Sequence, residues 1–150
     1  MKKSTQLDEG AVFVSETLSH ELIFADQQFS LMAQTEGAAN AFRHYLKSDA
    51  IQLPNGQRAR HGGKLIAESM KSGVLSFTWQ PVGGVIAQSN DLGYTWGLYN
   101  VVVGTDLTAE MQISGYYLSI WSRDEKGEWK VSMDIGNELE KFNIGESSHA

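Results

Sequence analysis

The chain is 150 residues long, has no cysteine, and sets 12 Lys and Arg against 18 Asp and Glu, a net charge of -6. One domain of this size buries roughly two thirds of the surface its unfolded chain exposes, and the lack of cysteine excludes disulfides, thiolate nucleophiles and cysteine-ligated metals. The negative charge repels phosphate backbones and anionic lipid head groups, and no segment approaches the ~20 apolar residues of a membrane span, so neither nucleic acid nor a membrane is an expected partner.

The opening segment, MKKSTQLDEGAVFVSETLSH, has one short apolar cluster, Ala11 to Val14. That is too short for the apolar region of a secretion signal, and a cytoplasmic location is expected. Residues 1–18 lack sustained periodicity and read as a flexible arm, followed by a single domain at 19–138 and a tail at 139–150. From Ser19, apolar residues recur at Leu22, Ala25, Phe29 and Met32 with helical spacing. Thr35-Glu36-Gly37 interrupts the pattern, and Ala38, Ala39, Phe42, Tyr45 and Leu46 resume it until Lys47-Ser48-Asp49. Two helices, or one bent helix, are expected over 20–47.

A short strand and hairpin follow, with Ala50 to Leu53 running into Pro54-Asn55-Gly56 and Arg58 to His61 returning. Gly62-Gly63 leads into a helix over 64–71. After Gly73 the apolar period changes to two, which predicts strands near 74–80, 85–89, 92–103, 111–123 and 128–135. Helices first and sheet second make an α+β layer, with the helices covering one face of long, coiled antiparallel strands. A partly covered, strongly curved sheet leaves a hollow in which a small ligand binds.

The stretch Asp91-Leu92-Gly93-Tyr94-Thr95-Trp96-Gly97 and the pair Trp121 and Trp129 around a glycine-containing hairpin carry a likeness. Together with the element order, they resemble the nuclear transport factor 2-like superfamily, and within it ketosteroid-isomerase-like and SnoaL-like proteins, many of them bacterial and of unknown function. The resemblance covers about 20–137 and implies a cystatin-like, ketosteroid-isomerase-like cone that dimerises through the outer face of its sheet. By that likeness Tyr94, Trp96 and Leu98 look into the cone, with Gly93, Thr95 and Gly97 outside. The expected lining further comprises Phe29, Phe42, Tyr45, Leu53, Trp79, Leu118, Ile120 and Met133.

The isomerase machinery does not carry over. Leu53 stands before Pro54 where the general base would be, Phe29 lies near the helical tyrosine position, and Met111 to Ser122 contains no carboxylate. His61, at the end of the hairpin, and Tyr45 are then the candidate proton-transfer residues, His61 by its pKa near neutrality. His44 reads as a helix-surface residue, His20 and His149 lie near the ends, and no metal-binding pattern exists. Asp49 reads as a helix-ending residue. Asp134 alternates away from Met133 and so faces outward, unless a one-residue bulge reverses it. The expected function is binding of a small, largely hydrophobic molecule, with no cofactor and no metal, by a homodimer. The alternatives are a cofactor-independent isomerase, cyclase or dehydratase using His61 and a tyrosine, and a non-catalytic oligomerisation scaffold.

Overall fold

The structure is a computed structural model and describes residues 20–144. The expected arm at 1–18 and His149 lie outside the described residues. Helix α1 (20–36) buries Leu22, Asp26, Phe29, Ser30 and Ala33 along one stripe. Gly37, with φ 91°, ends it, and helix α2 (Ala38–Tyr45) starts at once, burying Ala41 and Phe42. The expected interruption falls at this glycine, where a positive φ suits a residue without Cβ.

Strand β1 (Leu46–Leu53) begins where α2 stops, so Lys47-Ser48-Asp49 lies within a strand rather than at a helix end. A two-residue strand, β2 (Arg60–His61), returns antiparallel to it, and Gly62, at φ 101°, turns the chain into helix α3 (Gly63–Ser69). Four long strands complete the fold: β3 (Val74–Ile86), β4 (Leu92–Thr105), β5 (Thr108–Arg123) and β6 (Trp129–Asn143). The sheet order is β2-β1-β6-β5-β4-β3. Because β1 and β6 run parallel, the sheet is mixed rather than wholly antiparallel. Pro81 and Gly83-Gly84 do not break β3 in two; the pairing shifts between Pro81 and Gly83 and the strand continues. Strand β6 runs well beyond residue 135, into the segment expected to be a tail. No helix among the described residues is long and apolar enough to cross a membrane.

The side of the sheet that faces the helices is the reverse of the expected one. In β4, Gly93, Thr95, Gly97 and Val101 are buried, whereas Tyr94, Trp96 and Leu98 are 41%, 40% and 48% exposed on the outer face. Close packing of α1 explains the choice. A Cβ at Gly93 would lie 2.7 Å from Leu22 Cδ2, and one at Gly84, on the neighbouring strand, 3.4 Å from Ile23 Cγ1. The bare face is where the helix rests. Cross-strand neighbours follow suit: Leu118 pairs with Trp96 and Ile120 with Tyr94, and Met133 pairs with Ile120, all on the outer side.

Beneath the helices, Leu22, Phe29, Phe42, Leu46, Ile66, Trp121 and Val131 form the core. One buried polar network ties α1 to the sheet. Trp79 Nε1 donates to Asp26 Oδ1 at 2.8 Å and the Tyr117 hydroxyl to Asp26 Oδ2 at 2.7 Å. Trp121 Nε1 donates to Thr95 Oγ1 at 2.9 Å, which frees the Thr95 hydroxyl proton for its own bond to Asp26. Since Gly93 is closed in by both helix and strand, Gly93→Ala is expected to lower stability by about 1–3 kcal/mol through overpacking. Urea unfolding measures this, and an unchanged midpoint would contradict the close seating of α1.

Candidate functional site

Between the helices and the inner face of the sheet lies a cavity of about 380 Å³, room for about a dozen water molecules. One wall is aromatic. Phe29 from α1, Phe42 from α2 and Phe77 from β3 each set a ring edge to face with Trp79, at centroid distances of 4.7, 5.9 and 5.2 Å. Tyr99 from β4 extends this wall, 6.0 Å from Phe77.

The other wall is a polar row laid down by strand register. Arg60 on β2 stands opposite Gln52 on β1, Gln52 opposite Asp134 on β6, Asp134 opposite Ser119 on β5, and Ser119 opposite Thr95 on β4. Opposed residues in adjacent strands point to the same face, so these side chains reach one another. Arg60 Nη1 donates to Gln52 Oε1 at 3.0 Å, Gln52 Nε2 to Asp134 Oδ2 at 3.2 Å, and Ser119 Oγ to Asp134 Oδ1 at 3.4 Å. Arg60, Gln52, Asp134 and Ser119 all line the cavity, whereas Thr95 lies behind it, joined to Asp26.

Asp134 faces inward because β6 is bulged. Trp121 pairs with Val131, but Ile120 pairs with Met133, so Ser132 is an extra residue in the ladder. Val131 and Asp134 therefore share the inner face, three residues apart instead of two or four. Burial pushes the Asp134 carboxyl up to about 6; the hydrogen bonds from Gln52 and Ser119 oppose the shift and the charge of Asp26 adds to it. Asp26 is also raised, by its own burial, against the pull of Tyr117, Trp79 and Thr95. Burial holds the Tyr117 phenol far above its ordinary value, with Asp26 and Asp134 contributing in the same direction. Its proton is committed to Asp26, so Tyr117 turns lone pairs rather than a donor toward the cavity.

Of the residues expected in the lining, Phe29, Phe42, Leu53 and Trp79 are there. Tyr94, Trp96, Leu98, Leu118, Ile120 and Met133 are not, for the reason of strand parity given above. Tyr45 stacks on Phe29 at 4.8 Å, outside the cavity, and burial raises its phenol. His61 is exposed and pairs with Ile51. Its neighbour Arg60 occupies the inward position of the same two-residue strand. Asp49 and His44 are exposed, away from the cavity. Three residues that sequence reasoning passed over, Arg60, Gln52 and Tyr117, join Asp134 in the site. Asp26 had a visible signal, since it falls at helical spacing between Leu22 and Phe29 on the apolar stripe. Among the described residues, no three His, Asp or Glu gather as a metal site.

No protein-family profile matches the chain, and no curated protein matches it in sequence. Solved structures do. A nuclear transport factor 2-like superfamily protein from Salmonella enterica serovar Typhimurium superposes with a TM-score of 0.64 at 11% identity, over 87% of this chain and 97% of that one. A ketosteroid isomerase-like protein from Erwinia carotovora atroseptica gives 0.63 at 14% identity, over 79% and 94%. An LEH-like epoxide hydrolase from M. tuberculosis gives 0.55 at 15%, over 79% and 80%. The helices packed on a curled, unclosed mixed sheet are thus a known architecture, and this chain has the nuclear transport factor 2-like fold.

Proposed function

We propose that the protein binds a small, ring-containing, largely hydrophobic molecule in its cavity and transfers a proton on it without a cofactor, with Asp134 as the acid-base group. The observation that carries this reading is the setting of Asp134: a carboxylate on the wall of an aromatic cavity, hydrogen-bonded among the described residues only by neutral side chains and with its pKa pushed up to about 6. An acid-base catalyst works best with a pKa near the working pH, and a carboxylate paired with a cation would lie too low. The aromatic wall supplies apolar and ring-face contact. That a fold neighbour is named an epoxide hydrolase supports an enzymatic use of this interior. His61 is exposed, and in this reading the proton-transfer role for which it was a candidate belongs to Asp134. An interior with this much open volume does not suit a closed, packed scaffold.

A homodimer belongs to the same reading. Tyr94, Trp96, Leu98, Tyr116 and Ile135 expose a contiguous apolar stripe on the outer face of the sheet, with the Trp96 and Tyr116 rings 6.4 Å apart. Such a stripe suits a second copy of the same surface related by two-fold symmetry.

In D2O, NMR is expected to show protein-accelerated exchange of the α-hydrogens of a cyclic ketone probe, 2-tetralone, and Asp134→Asn to reduce that rate by about 100-fold or more. Equal rates in the two proteins would remove the acid-base role. The same variant tests the electrostatics. With a folded pKa above the ordinary value of 3.8, the native state retains a proton that the unfolded state releases, so this carboxyl costs stability as pH rises from about 4 through about 6. Asp134→Asn is therefore expected to exceed the wild type in urea stability by about 1–3 kcal/mol at pH 7.5 and to lose that margin below pH 4. For the dimer, sedimentation is expected to give about twice the 16.6 kDa chain mass, and Trp96→Asp to give the chain mass alone.

A further inference from the structure

We propose that the ligand of this cavity carries a carboxylate, and that Arg60 receives it. The inference rests on the cavity being a ligand site and adds what the ligand must look like.

Arg60 projects from β2 onto the inner face, half-buried, and lines the cavity. Its guanidinium is fixed by neutral partners. Nη1 donates to Gln52 Oε1 at 3.0 Å and to Ser69 Oγ at 3.3 Å, and Nη2 donates to Gln57 Oε1 at 2.6 Å. No carboxylate lies within ion-pair distance of it among the described residues. Three of the five guanidinium N–H groups are used, which leaves Nε–H and one Nη2–H without a protein acceptor among those residues. A cation taken partly out of water calls for a counter-charge. A guanidinium held flat by other bonds presents a donor pair that matches a carboxylate in two parallel hydrogen bonds.

The Gln52 amide stands between Arg60 and Asp134 and directs its oxygen to Arg60 and its nitrogen to Asp134. One neutral side chain thus bridges the cation and the acid. Glu138, also in the lining, is engaged by Asn55 Nδ2 at 3.1 Å, and Lys141 lines the cavity beside it. The cavity therefore has an anion-binding end at Arg60, an acid-base group one amide away, and rings on the facing wall. A ring-bearing carboxylic acid meets all three.

The test is calorimetric titration of the full chain at pH 7.5 with naphthalene-2-carboxylate and with its uncharged isostere naphthalene-2-carboxamide. Wild-type protein is expected to bind the acid at least tenfold more tightly than the amide. Arg60→Gln is expected to abolish this preference, and Arg60→Lys to retain part of it. Equal affinities for acid and amide in the wild type, or a preference that survives Arg60→Gln, would overturn the proposal and leave the cavity as an uncharged-ligand site. Binding of neither probe would overturn it together with the ring-binding reading. If Arg60→Gln fails to fold, Arg60→Lys decides the matter, and an undiminished preference there would overturn the assignment to Arg60.

Discussion

One extra residue in β6 decides what the interior of this protein contains. Side chains on a strand alternate, so a regular β6 with Val131 in the core would turn Met133 inward and Asp134 to the outside. Ser132 breaks the alternation between two ladder pairs, Trp121 with Val131 and Ile120 with Met133. Its hydroxyl donates to the Ile120 carbonyl at 3.1 Å, so the bulge is tied to the neighbouring strand. Downstream of it the inner face of β6 reads Asp134, Gly136, Glu138, a polar lining where a regular strand would have continued the apolar core. The bulge thus divides the cone: Val131, Trp121 and Leu46 belong to the buried core on one side, and the cavity opens on the other.

The order of elements was legible because it depends on local chemistry: helical spacing up to Phe42, the glycine break at Gly37, and the change of period after Gly73. The face of the sheet was not. Periodicity shows that Tyr94, Trp96 and Leu98 share a side, but not which side, and the inference that large rings point inward fails where a helix needs room. With Leu22 and Ile23 of α1 lying against Gly93 and Gly84, the sheet must offer its smallest residues to the helix. The same limitation left the side of Asp134 to depend on a bulge. A bulge consists of one residue too many relative to a partner strand, a property of two strands together that neither sequence displays alone. His61 was singled out for its chemistry, and its neighbour Arg60 took the inward place because a two-residue strand has only one inward position.

Asp26 shows how the polar and aromatic halves of the interior are held in register. A carboxylate at the centre of a helix stripe otherwise occupied by Leu22 and Phe29 is destabilising unless donors surround it. Its donors come from three different strands: Trp79 on β3, Thr95 on β4 and Tyr117 on β5. Each bond fixes a residue with a second task. Trp79 is the ring against which the aromatic wall packs, Thr95 accepts from Trp121 in the core, and Tyr117 lines the cavity. A hydrophobic residue at position 26 would spare the desolvation, but three buried polar groups would then lack their partner, the larger cost.

Asp26 also acts on the titratable groups around it. The charge of Asp26 raises the Asp134 pKa, and both raise that of Tyr117. If Asp26 stays ionised, the Tyr117 proton is directed into the protein, and the cavity is offered an acceptor at Tyr117 rather than a donor. A negative charge developing on a ligand at that point would find no stabilising hydrogen on Tyr117. Donors for such a charge stand on β2 and β1, in the Arg60 guanidinium and the Gln52 amide. Under the proposed function, negative charge on the ligand is drawn toward β2 and proton exchange takes place at β6, a direction that follows from the register of the strands.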